Sequence, residues 1–379
     1  MSKLKDLRAR GQSIWLDYIK RSLITSGELG RLIEDGLLGL TSNPSIFEKA
    51  IADSSEYEVD LRKLAGSSLS SKEIYEQLAI GDIQRAADAF RAVYESTAGH
   101  DGLVSLEVSP ELSRDTAGTL VEARRLWKTV NRSNLMIKVP ATPEGLPAIE
   151  VLTREGINVN VTLLFSVDVY EEVANRYISG LAQRSAAGHD IGRVASVASF
   201  FVSRVDAAVD VLLQARISSS SIEQQPVLQE LLGKAAIANA KLAYAHYQAV
   251  ITTPLWKELE LKGAQPQRVL WASTGTKNPA YRDVRYIEEL IGKDTVNTVP
   301  PVTLDAFREH GRIRDSLTEG IIGAYATFEG LSLAGISMRE VTQTLLDDGQ
   351  KQFVEAFQKV LRAVEHARNC PAQVTSAQL

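Results

Sequence analysis

The sequence predicts an α/β fold, and two observations specify it as a (β/α)8 TIM-type barrel with additional helices. Eight short segments show the alternation of side chains that is typical of β-strands, and an amphipathic helical pattern follows most of them. In several of these strands a polar residue lies near the carboxyl end, on the face opposite the aliphatic residues. A barrel covered by helices buries its outward face and builds its active site from inward residues at those strand ends.

The predicted elements alternate as strand and helix along the chain. The strands lie near residues 12–18, 38–43, 102–108, 135–140, 158–165, 194–201, 268–274 and 295–300. Helical patterns occupy residues 26–35, 44–52, 113–130, 145–155, 167–183, 202–214 and 280–291. Two additional helical stretches, near 71–98 and 233–259, interrupt the repeat. We predict that residues 1–379 form a single barrel domain with a C-terminal helical extension near 315–368, because no linker divides the chain.

The alternation is clearest in the fifth strand. There Asn158, Asn160 and Thr162 share one face, opposite three aliphatic residues. A surface antiparallel strand would show the same pattern. The helical pattern that follows, and the recurrence of the arrangement elsewhere, favour the barrel. In the first and third strands, Asp17 and Glu107 take the equivalent polar positions.

Composition excludes several classes of function. The 379 residues carry a formal net charge of -5 at pH 7, so we expect no nucleic acid and no anionic membrane as partner. Cys370 is the only cysteine, which excludes an internal disulfide. The histidines lack metal-ligand spacing, and we predict no metal site. No bilayer-spanning stretch or secretory segment is recognisable, so we expect a cytoplasmic protein, whose oligomeric state the sequence does not indicate.

Lys138 lies within the strand-like run 134–140, in which Leu135, Ile137 and Val139 form the opposite face. An ammonium group on the wall of an apolar strand loses hydration, which favours the neutral amine. A neutral amine is a nucleophile that can form a Schiff base with a carbonyl. The alternative is an edge-strand lysine whose head group reaches water, as most lysines in strands do.

The segment 273–277, Ser-Thr-Gly-Thr-Lys, follows the seventh strand, where barrels often bind phosphate. Asn278 and Pro279 then have the character of a helix start, and N-terminal amides of such a helix could help to hold an anion. Because the segment lacks the spacing of a nucleotide-binding phosphate loop, it fits equally well a plain turn before a helix.

Four motifs occur in one order along the chain. The longest is segment 156–166, Gly-Ile-Asn-Val-Asn-Val-Thr-Leu-Leu-Phe-Ser. The others are segment 41–45, Thr-Ser-Asn-Pro-Ser; segment 137–142, Ile-Lys-Val-Pro-Ala-Thr, followed by Glu144-Gly145; and Ala272-Ser273. Together they resemble the motifs of the transaldolases, which are Schiff-base-forming transferases of the pentose phosphate pathway. The resemblance covers essentially residues 12 to 310.

The resemblance implies a role for each matching residue. Lys138 corresponds to the Schiff-base lysine, and Asp17 to the acid/base that acts on the C4 hydroxyl of the sugar. Glu107 corresponds to an acid/base that works through a water held by Thr162. The implied substrate-binding residues are Asn43 and Asn160 for the sugar hydroxyls, Ser199 and Phe201 within a Ser-x-Phe-x-x-Arg pattern, and Arg204 and Ser273 for the phosphate.

The chain departs from the better-known family pattern just after Ser273. An arginine resembling a second phosphate ligand would stand two residues later, where this chain has Gly275. Lys277 follows shortly afterwards, and we expect it to supply the charge as a point cation without bidentate geometry.

Most of these residues also have a purely structural interpretation. Capping and hydrogen bonding to the backbone are common uses of short polar side chains. On that interpretation Asp17 and Asn43 are caps, Glu107 belongs to a buried ion pair, Thr162 and Ser199 satisfy backbone groups, and Arg204 pairs with Asp206 or Glu122. We expect Trp15 and Trp271, which point inward, to pack the barrel.

The implied reaction moves a three-carbon dihydroxyacetone unit from sedoheptulose 7-phosphate to glyceraldehyde 3-phosphate. It gives erythrose 4-phosphate and fructose 6-phosphate, and it needs no metal or organic cofactor. The closest alternative is a fructose 6-phosphate aldolase. These aldolases resemble the same family, but they have glutamine at the Glu107 position and tyrosine at the Phe201 position. More distant alternatives are a pyridoxal phosphate enzyme and a catalytically inactive phosphosugar-binding barrel, which the four catalytic candidates disfavour.

Overall fold

The computed structural model describes residues 2–52 and 55–369, in which eight parallel strands close into a barrel. Each strand pairs with the next in sequence, and the eighth pairs with the first. The predicted fold class is therefore confirmed, and all eight predicted strands are present. They are β1 (Gln12–Asp17), β2 (Gly39–Thr41), β3 (Leu103–Glu107), β4 (Leu135–Pro140), β5 (Val159–Leu164), β6 (Ser196–Phe201), β7 (Arg268–Ala272) and β8 (Thr295–Val299).

Helices surround the barrel. Up to β3 they are α1 (Lys3–Ala9), α2 (Arg21–Thr25), α3 (Glu28–Asp35), α4 (Pro44–Ala52), α5 (Glu58–Ala65), α6 (Ser71–Ala89) and α7 (Arg91–Ser96). Between β3 and β7 they are α8 (Thr116–Val130), α9 (Gly145–Glu155), α10 (Val167–Ala186), α11 (Ser203–Ser219), α12 (Gln225–Gln229), α13 (Ala235–Val250) and α14 (Pro254–Leu261). After β7 follow α15 (Arg285–Glu288), α16 (Pro301–His310), α17 (Ile321–Leu333) and α18 (Met338–Asn369).

The segment after β7 corrects the sequence interpretation. A helix was predicted over 280–291, but only the four residues of α15 are helical there. The hydroxyl of Thr276 donates to the carbonyls of Arg282 and Asp283 at 3.0 and 3.1 Å, and Asn278 Oδ1 accepts from the Ala280 amide. These side chains satisfy the backbone groups that a helix would otherwise pair, so the segment stays a loop.

The C-terminal stretch predicted over 315–368 also differs in detail. It begins later and consists of two helices, α17 and α18, with Gly335 between them at a φ of 70°. A left-handed glycine just after a helix is a common way for the helix to end. The sequence pattern also missed α1 and α16, which pack beside β1.

The barrel interior is filled by two indole rings, as predicted. Trp15 and Trp271 are completely buried. A Cβ at Gly39 of β2 would lie 2.6 Å from the indole of Trp15, so the first ring needs glycine on the neighbouring strand. This packing closes the centre of the barrel and leaves the carboxyl ends of the strands as the place for a pocket.

The amino-terminal end of the barrel is closed by a buried ion pair. Arg268 at the start of β7 lies 3.1 Å from Asp101, and both side chains are almost fully buried. Ser13 of β1 accepts from the guanidinium at 2.8 Å and donates to the carboxylate at 2.9 Å. Each buried charge therefore has hydrogen-bonding partners, which such groups require.

The last helix, α18, extends over the carboxyl ends of the strands and packs against α4, α5, α6 and α11. Its buried face consists largely of Phe353, Phe357, Val360 and Val364, which recur at helical spacing. Among the described residues no single helix has the length and apolar composition to cross a membrane. Only α17 and α18 counted together have that length and composition, and the two helices are bent by 91° at their junction.

Candidate active site

A pocket of about 290 Å³ opens at the carboxyl ends of the strands. It brings together nine of the eleven predicted site residues. Glu107 and Asn160 complete the group, because the strand register places them on either side of Lys138. The predicted residues that line the pocket are Asp17, Asn43, Lys138, Thr162, Ser199, Phe201, Arg204, Ser273 and Lys277.

Lys138 is a buried side chain on β4 that faces the inside of the barrel. Its Nζ lies 3.2 Å from Glu107 Oε2 on β3 and donates to the carbonyl of Ser42 at the same distance. The Lys138 side chain is 6% exposed and the Glu107 side chain 5% exposed, so bulk water does not hydrate either charged group fully. The interpretation as an edge-strand lysine that reaches water is therefore wrong.

Glu107 is placed to exchange protons with the Lys138 amine. Burial raises the pKa of the Glu107 carboxyl, the positive charge of Lys138 works against that rise, and the negative charge of Asp17 adds to it. A carboxyl group whose pKa is raised holds a proton more readily than an exposed one, so within hydrogen-bond reach of an amine it can act as both acid and base.

Thr162 lies at the end of β5, where the strand is irregular. The pairing of β5 with β6 shifts between Val161 and Leu164, and Leu163 has a left-handed φ of 60°. Such bulges redirect side chains next to active sites. The Thr162 hydroxyl is buried and has no hydrogen-bond partner within residues 2–52 and 55–369, so it is not used to satisfy the backbone.

Asp17 is held by Thr41, which lies in turn against Thr298; the sequence analysis selected neither threonine. The Thr41 hydroxyl donates to Asp17 Oδ1 at 2.8 Å and lies 2.6 Å from the Thr298 hydroxyl. Burial raises the pKa of Asp17, and the charge of Lys138 and the Thr41 hydrogen bond lower it in turn. Thr41 stands inside the Thr-Ser-Asn-Pro-Ser motif, so a signal for it was present, whereas Thr298 had only its alternation in β8.

The two amides differ in how fully they are engaged. Asn43 Oδ1 accepts from the Ile46 amide at 3.0 Å and so caps α4, while the residue also lines the pocket. Asn160 donates to Ser105 Oγ at 3.0 Å and accepts from Ser199 Oγ at 2.7 Å. Among the described residues, Ser199 therefore hydrogen-bonds to another site residue and not to the backbone.

Arg204 and Lys277 supply positive charge to the pocket. In the part of the chain that the structure describes, neither makes an ion pair with a carboxylate, and the guanidinium lies 5.3 Å from the Phe201 ring. The surface pairing considered for Arg204 is wrong, because Asp206 instead accepts from Ala236 and Tyr286. Burial lowers the pKa of Arg204, although the Asp17 charge opposes the effect.

The loop after β7 reaches the pocket without a helix. Ser273 has a φ of 55°, lies 3.0 Å from the Ser203 hydroxyl and lines the pocket together with Gly275 and Lys277. Because no helix begins at Asn278, helix amides cannot hold an anion there. A phosphate near Lys277 would therefore be held by side chains and by loop amides.

Two further lining residues were missed from the sequence. Lys49 on α4 adds a cation to the pocket, and Phe353 of α18 lies over it. Lys49 follows Ser45 by four residues, so helical spacing from the motif could have indicated it. Phe353 lies beyond the recognised motifs, and no local pattern distinguishes it from the other apolar residues of α18.

Comparison of the sequence with known proteins identifies the family of the chain. Residues 14–364 match the family Transaldolase/Fructose-6-phosphate aldolase, which extends the resemblance through most of α18. A protein named transaldolase from Saccharopolyspora erythraea is 47% identical over 365 residues, covering 96% of this chain and 97% of the relative. Transaldolases of Trichodesmium erythraeum and Thiobacillus denitrificans are each 46% identical and cover 96% of this chain, and 96% and 100% of their own lengths. The chain belongs to the transaldolase/fructose-6-phosphate aldolase family.

Proposed function

We propose that the chain is a transaldolase, which transfers a dihydroxyacetone unit from sedoheptulose 7-phosphate to glyceraldehyde 3-phosphate. One observation carries the proposal: the Lys138 amine lies 3.2 Å from the buried Glu107 carboxylate, in a pocket that Asp17 also lines. An amine in that setting is a nucleophile with an acid/base partner at hand. Relatives that match nearly the whole chain are named transaldolase, which supports the same reaction.

The reaction begins with a Schiff base. The neutral Lys138 amine attacks C2 of the ketose phosphate, and the carbonyl oxygen takes up a proton to give a carbinolamine. That oxygen then leaves as water and an iminium forms. Glu107 gives and takes these protons, because its raised pKa lets it hold a proton more readily than an exposed glutamate does. The Thr162 hydroxyl, free of protein partners among the described residues, orients the departing water.

Carbon–carbon cleavage uses the carboxylate on the first strand. Asp17 takes the proton of the C4 hydroxyl, C4 becomes an aldehyde carbon, and the electron pair of the C3–C4 bond moves to the iminium nitrogen. An aldose phosphate leaves and a neutral dihydroxyacetone enamine stays on Lys138. The enamine then adds to the aldehyde of the acceptor, Asp17 returns its proton to the new hydroxyl, and water releases the product ketose.

The substrate class follows from the cations around the pocket. Arg204 and Lys277 have no carboxylate partner within the described residues, and Lys49 lines the same pocket. In a chain whose net charge is -5, such a group of cations favours an anionic substrate. Arg204 can grip two phosphate oxygens, whereas a lysine provides a point charge. We assign these residues to the phosphate of the sugar.

Two residues favour a transferase over an aldolase within this family. Glu107 is a carboxylate and Phe201 is a phenyl ring, at positions where we expect glutamine and tyrosine in the aldolases. Without a phenol beside it, the enamine lacks an efficient proton donor and waits for an acceptor aldehyde. Free dihydroxyacetone is then a minor product.

The test combines trapping with a two-substrate assay. Borohydride added with fructose 6-phosphate should fix a three-carbon adduct on Lys138, identified by peptide mass, and Lys138→Arg should abolish it. Transfer should need an acceptor aldose phosphate, and little dihydroxyacetone should appear without one. An adduct on Lys277 or Lys49 would overturn the assignment of the lysine. Rapid acceptor-independent release of dihydroxyacetone would identify an aldolase instead, and no adduct at all would indicate an inactive barrel.

A further inference from the structure

The aromatic ring of Phe353 lies directly over the Schiff-base lysine. Its centroid is 5.7 Å from Lys138 Nζ, and the side chain lines the same pocket as Asp17 and Thr162. Phe353 belongs to α18, the last helix, and only 4% of it is exposed. The reaction steps described above use Lys138, Asp17 and Thr162 of this pocket together with Glu107, but they give this ring no role.

A glycine one turn earlier allows the helix to reach this position. A Cβ at Gly349 would lie 2.9 Å from Leu163 Cδ2 and 3.7 Å from Arg204 Nη1. A larger side chain there would push α18 away from the end of β5. Since residues four apart lie on one face of a helix, the close approach at Gly349 directs Phe353 into the pocket.

The covalent intermediate has one competing fate that such a ring can suppress. If a water molecule protonates C3 of the enamine, an iminium forms, and hydroxide adds at C2 to give a carbinolamine. The C–N bond then breaks, which releases dihydroxyacetone and regenerates the Lys138 amine. This sequence consumes one water in total. It needs water next to the enamine, and a phenyl ring takes up that space without offering a proton.

We propose that Phe353 is a specificity-determining residue, which excludes water from the enamine on Lys138 and so commits it to transfer. The inference rests on the proposed transaldolase function and concerns the partition of its intermediate. The face of the ring also favours the positively charged iminium at Nζ, since a cation within about 6 Å of an aromatic ring is stabilised by it. Phe201 with its neighbour Phe165, 5.1 Å away, provides a second apolar surface in the same region.

The experiment measures the lifetime of the adduct in the absence of an acceptor. The enzyme is loaded with fructose 6-phosphate, the released aldose phosphate is removed enzymatically, and borohydride is added after increasing delays. Phe353→Ala should shorten the lifetime of the trappable adduct on Lys138 by about tenfold and raise dihydroxyacetone release to match. Phe353→Leu, which keeps an apolar side chain over the amine, should stay within about twofold of the unmodified protein.

Phe357→Ala is the matched control. It removes the same ring from the same helix one turn later, where the ring packs 5.5 Å from Tyr75 and does not line the substrate pocket. It should lower the melting temperature without changing the partition. Equal adduct lifetimes in Phe353→Ala and the unmodified protein would overturn the inference, as would equal shortening in both alanine variants. Failure of the unmodified protein to form any adduct would instead count against the transaldolase function itself.

Discussion

In the proposed reaction Asp17 must be ionised to accept the C4 hydroxyl proton, yet burial favours its protonated form. Burial raises the pKa of its carboxyl group, and Lys138 and the Thr41 hydroxyl lower it. Thr41 donates to the carboxylate, and its own oxygen lies 2.6 Å from the Thr298 hydroxyl, which can donate to it in turn. The chain of two hydroxyls therefore stabilises the ionised base.

Replacing Thr41 by valine tests this chain of hydroxyls. Thr41→Val removes the donor at nearly constant volume, so the pKa of Asp17 should rise further. Because the base works only when it is ionised, the acid limb of the plot of kcat against pH should move to higher pH. Thr41→Ser, which keeps the hydroxyl, should leave the limb in place. Superimposable profiles for the valine and serine variants would show that the hydrogen bond does not set the ionisation of Asp17.

The cations of the pocket should differ in their effect on phosphate binding. A hydrogen bond to a charged group contributes roughly 1.5–3 kcal/mol, so Arg204→Ala should raise the KM of a ketose phosphate by about tenfold to a hundredfold. Lys277→Ala should have a smaller effect, because lysine does not bind in a bidentate manner. An unphosphorylated ketose is the control and should be nearly unaffected. If Lys277→Ala leaves KM unchanged, Lys49→Ala is the next variant to measure.

Phe201 should govern the access of protons to the enamine. Phe201→Tyr places a phenol at the pocket wall, which can protonate the enamine carbon directly or through water. Release of dihydroxyacetone without an acceptor should therefore increase. Phe165→Tyr is a matched control, because Phe165 packs on Phe201 but does not line the substrate pocket. Equal release from both tyrosine variants would argue against a specific role for position 201.

At the scale of elements, the carboxyl ends of the strands carry the candidate active-site residues, and a buried ion pair lies at their amino-terminal ends. The ion pair of Arg268 and Asp101 joins β7 to the segment before β3. Removing one partner of a buried pair leaves the other charge uncompensated and destabilises proteins by about 3–5 kcal/mol. The active site lies at the other end of the strands, so this network should affect stability more than activity.

A double-mutant cycle at this ion pair tests that separation. Arg268→Met and Asp101→Asn should each lower the free energy of unfolding in urea by several kcal/mol, on the order of 3. The double variant should be less destabilised than the sum of the two, because neither charge is then left alone. Strict additivity would contradict the assigned ion pair. The KM for substrate should stay close to that of the unmodified protein throughout.

The elements were predictable where periodicity was strong and unpredictable where side chains cap the backbone. All eight strands show the alternation that the sequence analysis used, and α9 begins and ends where its apolar spacing indicated. The segment after β7 has the same helical spacing, but the side chains of Thr276 and Asn278 form hydrogen bonds with backbone groups that a helix would otherwise pair. A local pattern does not show that competition, because its outcome depends on where the loop is anchored.

The site was predictable to the extent that motifs are local in sequence. Lys138, Glu107 and Asp17 stand on strand ends whose convergence follows from the barrel itself. Thr298 and Phe353 come from β8 and α18, and they meet the other residues only in three dimensions. Nothing in their immediate sequence indicates those contacts.

At the scale of the whole molecule, the chain remains a predicted single domain in which α18 is part of the barrel's core. The buried residues Phe353, Phe357, Val360 and Val364 form one face of that helix against the body of the protein. Amide protons of residues 353–364 should therefore exchange with solvent about as slowly as those of β4. Much faster exchange of α18, while β4 stays protected, would indicate a separate C-terminal unit.

Because α18 follows all eight strands in the chain, Phe353 is synthesised after the other residues that line the pocket. Glu365 of α18 accepts a hydrogen bond from the Ser71 hydroxyl, and these two residues are 294 positions apart. Neighbouring strands of the barrel are usually joined by much shorter connections. Contacts between distant parts of a chain form late, since closing a long loop is entropically unfavourable. On the role proposed for Phe353, a barrel emerging from the ribosome can acquire its catalytic lysine before its selectivity. The order of synthesis would then give the pocket its reactive amine before the ring that limits the loss of its intermediate to water.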